Sequence, residues 1–389
     1  MPPKSGEIIE EVEDHKKIGV ELETFENEEE IISAPWDPSL IRVDPKAFSL
    51  RNILDMIDEG DLELAPDFQR RKVWNHRQRS RLIESLLLRI PLPAFYFSAD
   101  DDGKMLVIDG LQRLSAIYDF VKYQKDDPHF YKLDKLEYLQ SEVGKKSFQD
   151  LESTLWARRI YATQIIANVV DPQTPDRVKF DIFKRINTGG SHLNAQEIRH
   201  CMSKQRSRDF LKKLAATQTF YEATKGNLHN HIRMVDREVI LRFCAFYLID
   251  SIEKDYVPHD TMNAFLTEIT RKIDNELTDE KLEQLAQKFE QAMDNARKIF
   301  GSRAFRKWPA GNNKMYPINR ALFETWGNTL ADYDWQTLKP YRPAIMKAAR
   351  EMMLNDNEFM SAISTSTSGT SKINLRFTKI RQILIDVGV

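Results

Sequence analysis

Met105-Leu106-Val107-Ile108-Asp109-Gly110-Leu111-Gln112-Arg113 combines the signals of a strand, a tight turn and the start of a helix. Its first four residues are apolar and predict a buried strand, and apolar residues recur at helical spacing from Leu114 to Val121. A strand that stops at a glycine and turns directly into a helix brings unpaired helical amides and the positive end of the helix dipole together. The sequence therefore predicts an anion-binding turn at residues 109–113.

Short elements surround this turn. Apolar spacing predicts helices over residues 50–60, with Gly60 ending the first, and 77–89, with Pro91 stopping the second. The second is expected to bury the apolar residues Leu82, Ile83, Leu86, Leu87 and Ile90. Three strands are predicted, the first two joined by a polar turn, over residues 94–97, 105–108 and 160–170.

Further elements complete the predicted fold. A helix begins after Thr174-Pro175 and ends near residue 186, and Asn194 with Glu197 has the spacing of a capping box, which predicts another helix start. Beyond this point the apolar stripes are almost all helical. We expect an α+β chain, with a small mixed-sheet domain at residues 35–194 and a mainly α-helical domain at residues 195–389.

Composition limits the classes of protein. The 389 residues suffice for two domains, and 57 Lys and Arg against 59 Asp and Glu leave a net charge of -2, which neither demands nor excludes a nucleic-acid partner. Cys201 and Cys244 form no CxxC pair, so a disulfide framework and a cysteine zinc site are disfavoured. No signal core or membrane span is evident, and we expect a soluble, cytoplasmic protein.

The first 34 residues are strongly acidic. They carry many glutamates with few apolar residues between them. This composition predicts a solvated, disordered acidic arm, and docking against a basic surface is the alternative.

Two polar signatures flank the helix at 77–89. If the two strands after this helix pair as a hairpin, Asp67-Phe68-Gln69-Arg70 can face residues 109–113 across one cleft. Arg70 and Arg113 suit phosphate oxygens, Asp109 suits a divalent ion or a water, and Gln112 suits a water placed for in-line attack. The alternative is that Asp109 caps the helix and Arg113 pairs with a nearby acid.

Several motifs together resemble a known family. PDFQRRKVW, LIESLLLRIPLPAFYF, VIDGLQRLSAI and FKRINTGGSHLNAQEIR have the order and spacing of the ParB-like N-terminal domain of GmrSD-type, modification-dependent (type IV) restriction enzymes. The resemblance covers about residues 40–250, with a weaker similarity to the ParB and sulfiredoxin superfamily. It implies a ParB/sulfiredoxin-like fold that binds and hydrolyses a nucleoside triphosphate in defence against foreign DNA.

The resemblance also implies roles for single residues. Its Asp-Gly-Gln-Gln-Arg motif assigns Asp109, Gln112 and Arg113 as catalytic and Gly110 as nucleotide-binding, and Leu111 stands where the family has its first glutamine. If that side chain touches nucleotide or water, either hydrolysis is expected to be weaker here or the base preference is expected to differ. The other nucleotide-binding residues implied are Asp67, Gln69, Arg70, Asn187, Gly189, Glu197 and Arg199. The alternative for the last four is that they only end one helix and cap the next.

DNA contact and cleavage are separate questions. The region around the helix at 77–89 is basic, which favours phosphate-backbone binding, with a solvated helix face as the alternative. Its candidate DNA-binding residues are Arg71, Lys72, Arg77, Arg79 and Arg81. The string His229-Asn230-His231 is contiguous, whereas the HNH nuclease motif spreads its residues over a hairpin and a helix, so we expect no nuclease activity in this chain.

The sequence thus favours a ParB-like nucleoside triphosphatase, assisted by Mg²⁺ at Asp109, acting as the sensor of a restriction or antiviral system. Asp109→Ala or Arg113→Ala is expected to abolish hydrolysis with the fold intact. The alternatives are a nucleotide-gated DNA-binding switch with little hydrolysis and an interaction scaffold. Expected partners are the nucleotide, DNA with or without modified bases, a companion nuclease or defence protein, and further copies of the chain, with no membrane.

Overall fold

The computed structural model describes residues 8–13, 16–23, 37–64, 74–100, 102–186, 193–231, 233–259, 261–308 and 314–389. The chain forms two compact units. Pro35–Leu193 is called the sheet unit here, and Met1–Ala34 together with Asn194–Val389 is called the helical unit. The predicted α+β class is confirmed, because a five-stranded sheet lies in the first unit and the second is mostly helical.

The described strands form one hairpin and one sheet. They are β1 (Glu10–Glu13), β2 (Lys16–Glu21), β3 (Val43–Ser49), β4 (Leu62–Glu63), β5 (Phe95–Ala99), β6 (Met105–Asp109) and β7 (Gln164–Val170). β1 pairs with β2, and the sheet has the order β3-β7-β5-β6-β4. β5 runs antiparallel to β6 and parallel to β7, β3 is antiparallel to β7, and β4 is parallel to β6. The hairpin predicted for the strands at residues 94–97 and 105–108 is therefore present as β5 and β6, with Tyr96 opposite Asp109.

Seven α-helices belong to the described part of the sheet unit. They are α1 (Leu50–Glu59), α2 (His76–Leu87), α3 (Leu111–Lys122), α4 (Gln140–Val143), α5 (Phe148–Leu151), α6 (Leu155–Ala162) and α7 (Asp176–Ile186). Local signals fix their ends: Ser49 caps α1 and Gly60 ends it in the left-handed region, while Asn75 and Gln78 form a capping box on α2. A 3-10 helix spans Pro38–Leu40.

Three details of the sheet unit differ from the sequence prediction. β3 was not predicted, because it lies at the sheet edge with mostly exposed side chains and contains Pro45, which only an edge strand tolerates well. β7 starts at Gln164, since residues 155–162 form α6. α2 ends at Leu87, which leaves Ile90 beyond the helix and 48% exposed instead of buried.

The helical unit contains twelve described α-helices. They are α8 (Ala195–Met202), α9 (Gln205–Ala215), α10 (Gln218–Thr224), α11 (Val235–Tyr247), α12 (Ile252–Asp255), α13 (Met262–Asn275), α14 (Asp279–Phe300), α15 (Arg320–Leu330), α16 (Trp335–Leu338), α17 (Arg342–Asn355), α18 (Asn357–Ala362) and α19 (Thr370–Val387). Short 3-10 helices span Val257–His259, Gly301–Arg303 and Lys339–Tyr341. The predicted apolar stripes form the core, where Phe243, Phe289 and Trp326 are buried. Cys201 and Cys244 are also buried and form no disulfide.

The acidic N-terminal segment corrects a prediction. Residues 10–13 and 16–21 form the β1–β2 hairpin, so they are not a solvated, disordered arm. Ile18 and Val20 are buried in the core of the helical unit, and Val20 bridges to Ile318. Glutamates of the segment bind Lys307, Arg242 and Arg320. The described part of the segment is therefore structured, and residues 1–7, 14–15 and 24–34 of the predicted arm lie outside the described residues.

Among the residues that the structure describes, no helix has both the length and the apolar character that crossing a membrane requires.

Candidate functional site

The turn between β6 and α3 is built around Gly110. This residue has φ 96° and ψ 6°, in the left-handed region that glycine adopts readily. A Cβ added to Gly110 would lie 2.2 Å from Cδ1 of Phe95, whose ring is fully buried under the turn. The glycine is therefore required both by the backbone conformation and by close packing against the sheet.

The start of α3 presents backbone donors. The first intrahelical bond runs from the Leu114 amide to the Gly110 carbonyl, so the amides of Leu111, Gln112 and Arg113 precede the helical ladder. Gly110 has no side chain to cap the helix, and no capping hydrogen bond is formed by it. Asp109 does not cap α3, which was the structural alternative to a functional role for this residue. The helix dipole and these amides favour an anion at this point.

Asp109 and Arg113 form an ion pair across the first turn of α3. Arg113 Nη2 donates to Asp109 Oδ2 at 3.0 Å, and the Asp109 side chain remains 37% exposed. The sequence also allowed the alternative that Arg113 pairs with a nearby acid. This pair is present, and the acid is Asp109.

Arg113 is also held by the backbone before β5. Its Nη1 donates to the carbonyl of Pro93 and its Nη2 to that of Ala94 at 3.1 Å, while its guanidinium lies 4.2 Å from the centre of the Phe95 ring. Burial lowers the pKa of Arg113 from its ordinary value, and the Asp109 carboxylate opposes that effect. Three of its five N–H groups are thus engaged, and the residue fixes Asp109 and the turn.

Leu111 and Gln112 differ in exposure. Leu111 is 7% exposed and faces the interior, whereas Gln112 is only partly buried and forms no side-chain hydrogen bond with the described residues. A side chain at position 111 is directed away from solvent. The effect of Leu111 on hydrolysis stays a prediction.

The other predicted nucleotide-binding residues fall into two groups. Some lie outside the described residues, namely Asp67, Gln69, Arg70, Asn187 and Gly189. Glu197 and Arg199 lie on α8 in the helical unit and are 1% and 2% exposed.

Glu197 and Arg199 have internal partners. Glu197 forms the predicted capping box with Asn194 and lies 3.3 Å from the Arg233 guanidinium. Arg199 donates to Gln196 and Asn263, both at 2.9 Å, and burial lowers the pKa of Arg199 to about 10. The capping box is confirmed, and the nucleotide-binding role of both residues stays a prediction.

The candidate DNA-binding arginines on α2 are engaged to different degrees. Arg71 and Lys72 lie outside the described residues. Arg79 donates to Asp119 at 2.7 Å and covers the Tyr131 ring, and both members of this ion pair are largely buried. Arg81 lies 3.3 Å from Glu137 at the surface, and Arg77 is exposed. Arg77 is thus the candidate on α2 best placed to meet a phosphate.

The string His229-Asn230-His231 lies between α10 and α11. The His229 ring packs edge-on against Tyr221, and Asn230 Nδ2 lies 3.0 Å from His229 Nε2. No group of three or more His, Cys, Asp or Glu side chains suited to a metal ion occurs among the described residues.

Sequence reasoning missed two charged features. Glu84 is 3% exposed and accepts the backbone N–H groups of residues 137–139. In the helical unit, Glu238 and Arg242 of α11 form part of a buried network with Arg320 of α15. The spacing of Glu238 and Arg242, four residues apart within an apolar helix, is the sequence signal that marks them.

Residues 50–203 match the family model of the GmrSD restriction endonuclease, N-terminal domain. This segment is similar to that domain and makes up less than half of the chain. The match includes the strand–glycine–helix turn and the Asn194–Arg199 segment, so the resemblance of the motifs is confirmed over these residues. The matched family is named for restriction endonucleases. No curated protein and no solved structure matches the chain.

Proposed function

We propose that the protein is a nucleoside triphosphatase of a DNA restriction or antiviral defence system. The observation that carries this proposal is the turn at residues 109–113. An exposed carboxylate, a half-buried glutamine and three helix-start amides meet there, beside a strand end of the GmrSD N-terminal domain.

The chemistry of the turn suits phosphoryl transfer. The amides of Leu111 to Arg113 bind phosphate oxygens, and Gln112 orients the attacking water. Arg113 holds Asp109 in place and has further N–H groups for a phosphate, and Arg70 is assigned to the phosphates by the family motif. This arrangement supplies positioning and charge stabilisation, which dominate catalysis of this reaction.

Asp109 fits a role beside Mg²⁺. This ion binds proteins through one or two carboxylates and keeps waters and substrate phosphates as its other ligands, so a single exposed carboxylate beside a phosphate site is a suitable donor set. When bound, Mg²⁺ neutralises charge on the phosphate oxygens. The turn itself provides the carboxylate and the backbone donors.

Leu111 does not argue against hydrolysis. Because its side chain is buried, replacement of the family's first glutamine changes packing behind the turn and leaves Gln112 at its surface. We therefore favour the hydrolase over the nucleotide-gated switch.

The test is phosphate release from ATP, GTP, CTP and UTP, each with no DNA, unmodified DNA and modified DNA. Asp109→Asn keeps the shape of the side chain and is expected to reduce turnover by at least about 100-fold, the scale of a lost charge-stabilising or acid–base group. Asp58→Asn is the matched control, since Asp58 is 40% exposed and paired with Lys122 and Tyr118 in the same unit. It should retain full turnover.

Other results select other functions. Tight nucleotide binding by calorimetry with negligible phosphate release under every DNA condition would select the switch. Retention of a companion nuclease without nucleotide or DNA binding would select the scaffold. Equal turnover in Asp109→Asn and Asp58→Asn would reject the assigned site.

A further inference from the structure

A pocket lined by both apolar and charged residues lies entirely within the helical unit. Its volume is about 280 Å³, close to the lower end of ligand pockets, which span about 300 to 1,000 Å³. Two of its charged lining residues, Glu11 and Glu23, come from the hairpin segment, the name used here for the described residues 8–13 and 16–23. The others are Glu238 and Arg242 of α11 and Arg320 of α15. A pocket of this size suits a small molecule.

The two lining arginines are bound by carboxylates from two sources. Arg242 lies 3.1 Å from Glu238 of its own helix and 3.0 Å from Glu23 of the hairpin segment. Arg320 lies 3.2 Å from Glu238 and 2.8 Å from Glu11. The hairpin segment therefore supplies one carboxylate to each arginine.

The helices of this network carry surplus positive charge. Among the described residues, Arg199, Arg242, Arg320 and Arg376 interact with two helical carboxylates, those of Glu238 and Glu324, which leaves two positive charges. Glu11 and Glu23 neutralise this surplus. Uncompensated buried charge is strongly unfavourable, so the helices require two negative charges from outside themselves.

We propose that the helical unit contains a binding site for a small phosphate-bearing molecule, in which Arg242 and Arg320 bind the phosphate and the hairpin carboxylates of Glu11 and Glu23 occupy the same positions when it is absent. A phosphate group carries about -1.5 to -2 charges at pH 7, which matches the two carboxylates it replaces. Guanidinium groups bind phosphate oxygens through two donors each. Thr367, which donates to Glu23 at 2.8 Å, gives the site a further donor.

Displacement of the hairpin follows from the charges. A phosphate in the closed pocket would lie beside Glu11, Glu23 and Glu238, and like charges repel. A two-stranded hairpin is only marginally stable alone, so its position depends on its docking contacts, and loss of the Glu11 and Glu23 ion pairs weakens that docking. The site is separate in sequence and in unit from the Asp109 turn, and its occupancy does not depend on the proposed hydrolysis.

The experiment uses the full chain, pyrophosphate as the probe and a short single-stranded oligonucleotide in a parallel arm. Calorimetry on the double variant Glu11→Gln and Glu23→Gln should give at least about tenfold tighter pyrophosphate binding than on the parent, because the competing carboxylates are gone. Glu10→Gln is the matched control, since Glu10 lies on β1 but pairs with exposed Lys17. It should bind as the parent does. Binding at the Asp109 turn would not respond to these hairpin substitutions.

Hydrogen–deuterium exchange of the parent provides a measurement that needs no variant. Pyrophosphate should increase exchange of the amides in β1 and β2. Increased protection of these strands would overturn the proposal, because the ligand would then sit under a closed hairpin. Equal pyrophosphate affinity in the parent and the double variant would also overturn it, as would binding of the oligonucleotide alone.

Discussion

At the scale of single residues, Gly110 joins the sheet to the candidate site. Gly110→Ala is expected to destabilise the protein by about 2–4 kcal/mol, because a side chain is strained at φ 96° and its Cβ would clash with Phe95. Gly60→Ala is the matched control: Gly60 has φ 80° but no atom within 4 Å of an added Cβ, so only the backbone cost of a side chain in the left-handed region, about 1–2 kcal/mol, remains. Urea denaturation measures both, and equal losses would contradict the packing argument.

Arg113 is expected to act on stability as well as on catalysis. Arg113→Ala removes two hydrogen bonds to backbone carbonyls, the ion pair with Asp109 and the contact with Phe95, which predicts a loss of about 2–3 kcal/mol. The fold itself is expected to stay intact in this variant, at a lower stability. Gln112→Ala, one residue before it, should change the free energy of unfolding by less than about 0.5 kcal/mol. Similar unfolding curves for the two variants would show that the contacts of Arg113 contribute nothing.

The sequence identified this turn but not the partners of its side chains. A glycine between an apolar run and a helical pattern is a local signal, and the structure has the turn at that position. Arg113 donates to the carbonyl groups of Pro93 and Ala94, which lie directly before β5. No spacing rule links these two residues to Arg113. Residue type and local order were predictable, whereas tertiary pairing was not.

At the scale of elements, Glu84 connects α2 to the segment before α4. Burial opposes ionisation of this carboxyl, but the N–H groups of Glu137, Leu139 and Tyr138 lower the pKa of Glu84 below its ordinary value. The stabilisation is present above the ordinary carboxyl pKa and is lost as the pH falls through the lowered value.

Glu84→Ala is expected to cost about 1–3 kcal/mol at pH 7, because charge-assisted hydrogen bonds to three amides disappear. The difference from the parent should shrink in acid. Glu137→Ala, which removes an exposed ion pair with Arg81 beside the same segment, is expected to cost less than about 1 kcal/mol. Chemical denaturation at pH 7 and in acid separates them, and a pH-independent loss in Glu84→Ala would refute the charge argument.

Elements with a buried face were predictable, and exposed ones were not. α1 and the β5–β6 hairpin follow from apolar periodicity and from Gly60 and the polar turn. β3 could not be predicted because its exposed side chains show no alternation of polar and apolar residues. The β1–β2 hairpin could not be predicted because glutamates dominate the composition of the segment. A few buried residues, Ile18 and Val20 among them, outweigh that composition once cationic partners are available.

At the scale of the whole molecule, residues near the start of the chain pack against residues near position 310. The hairpin packs with residues more than 200 positions later in sequence: Lys307 binds Glu21, and Asn319 donates to Glu21 at 3.0 Å. The free energy of this arrangement depends on ionised carboxylates inside the unit. Its pH dependence is therefore a direct measure of the network.

Glu238 is the carboxylate that decides this pH dependence. Burial opposes its ionisation, but Arg320, Arg242 and Arg199 lower the pKa of Glu238 to about 2. A carboxyl with a lowered pKa in the folded state stabilises the protein above its ordinary value of 4.5, and this contribution is lost as the pH falls towards 2. The difference between these values corresponds to about 3 kcal/mol.

Glu238→Gln is accordingly expected to lower the free energy of unfolding by about 3 kcal/mol at pH 7, since three buried guanidinium groups lose a shared anion. The deficit should narrow steadily as the pH falls from about 4.5 towards 2, where the parent carboxyl also becomes neutral. Glu222→Gln, at an exposed ion pair with Arg297 in the same unit, should cost less than about 1 kcal/mol with little pH dependence. Denaturant unfolding across this pH range tests the prediction, and a deficit that stays constant down to pH 2 would show that Glu238 acts by shape alone and not by charge.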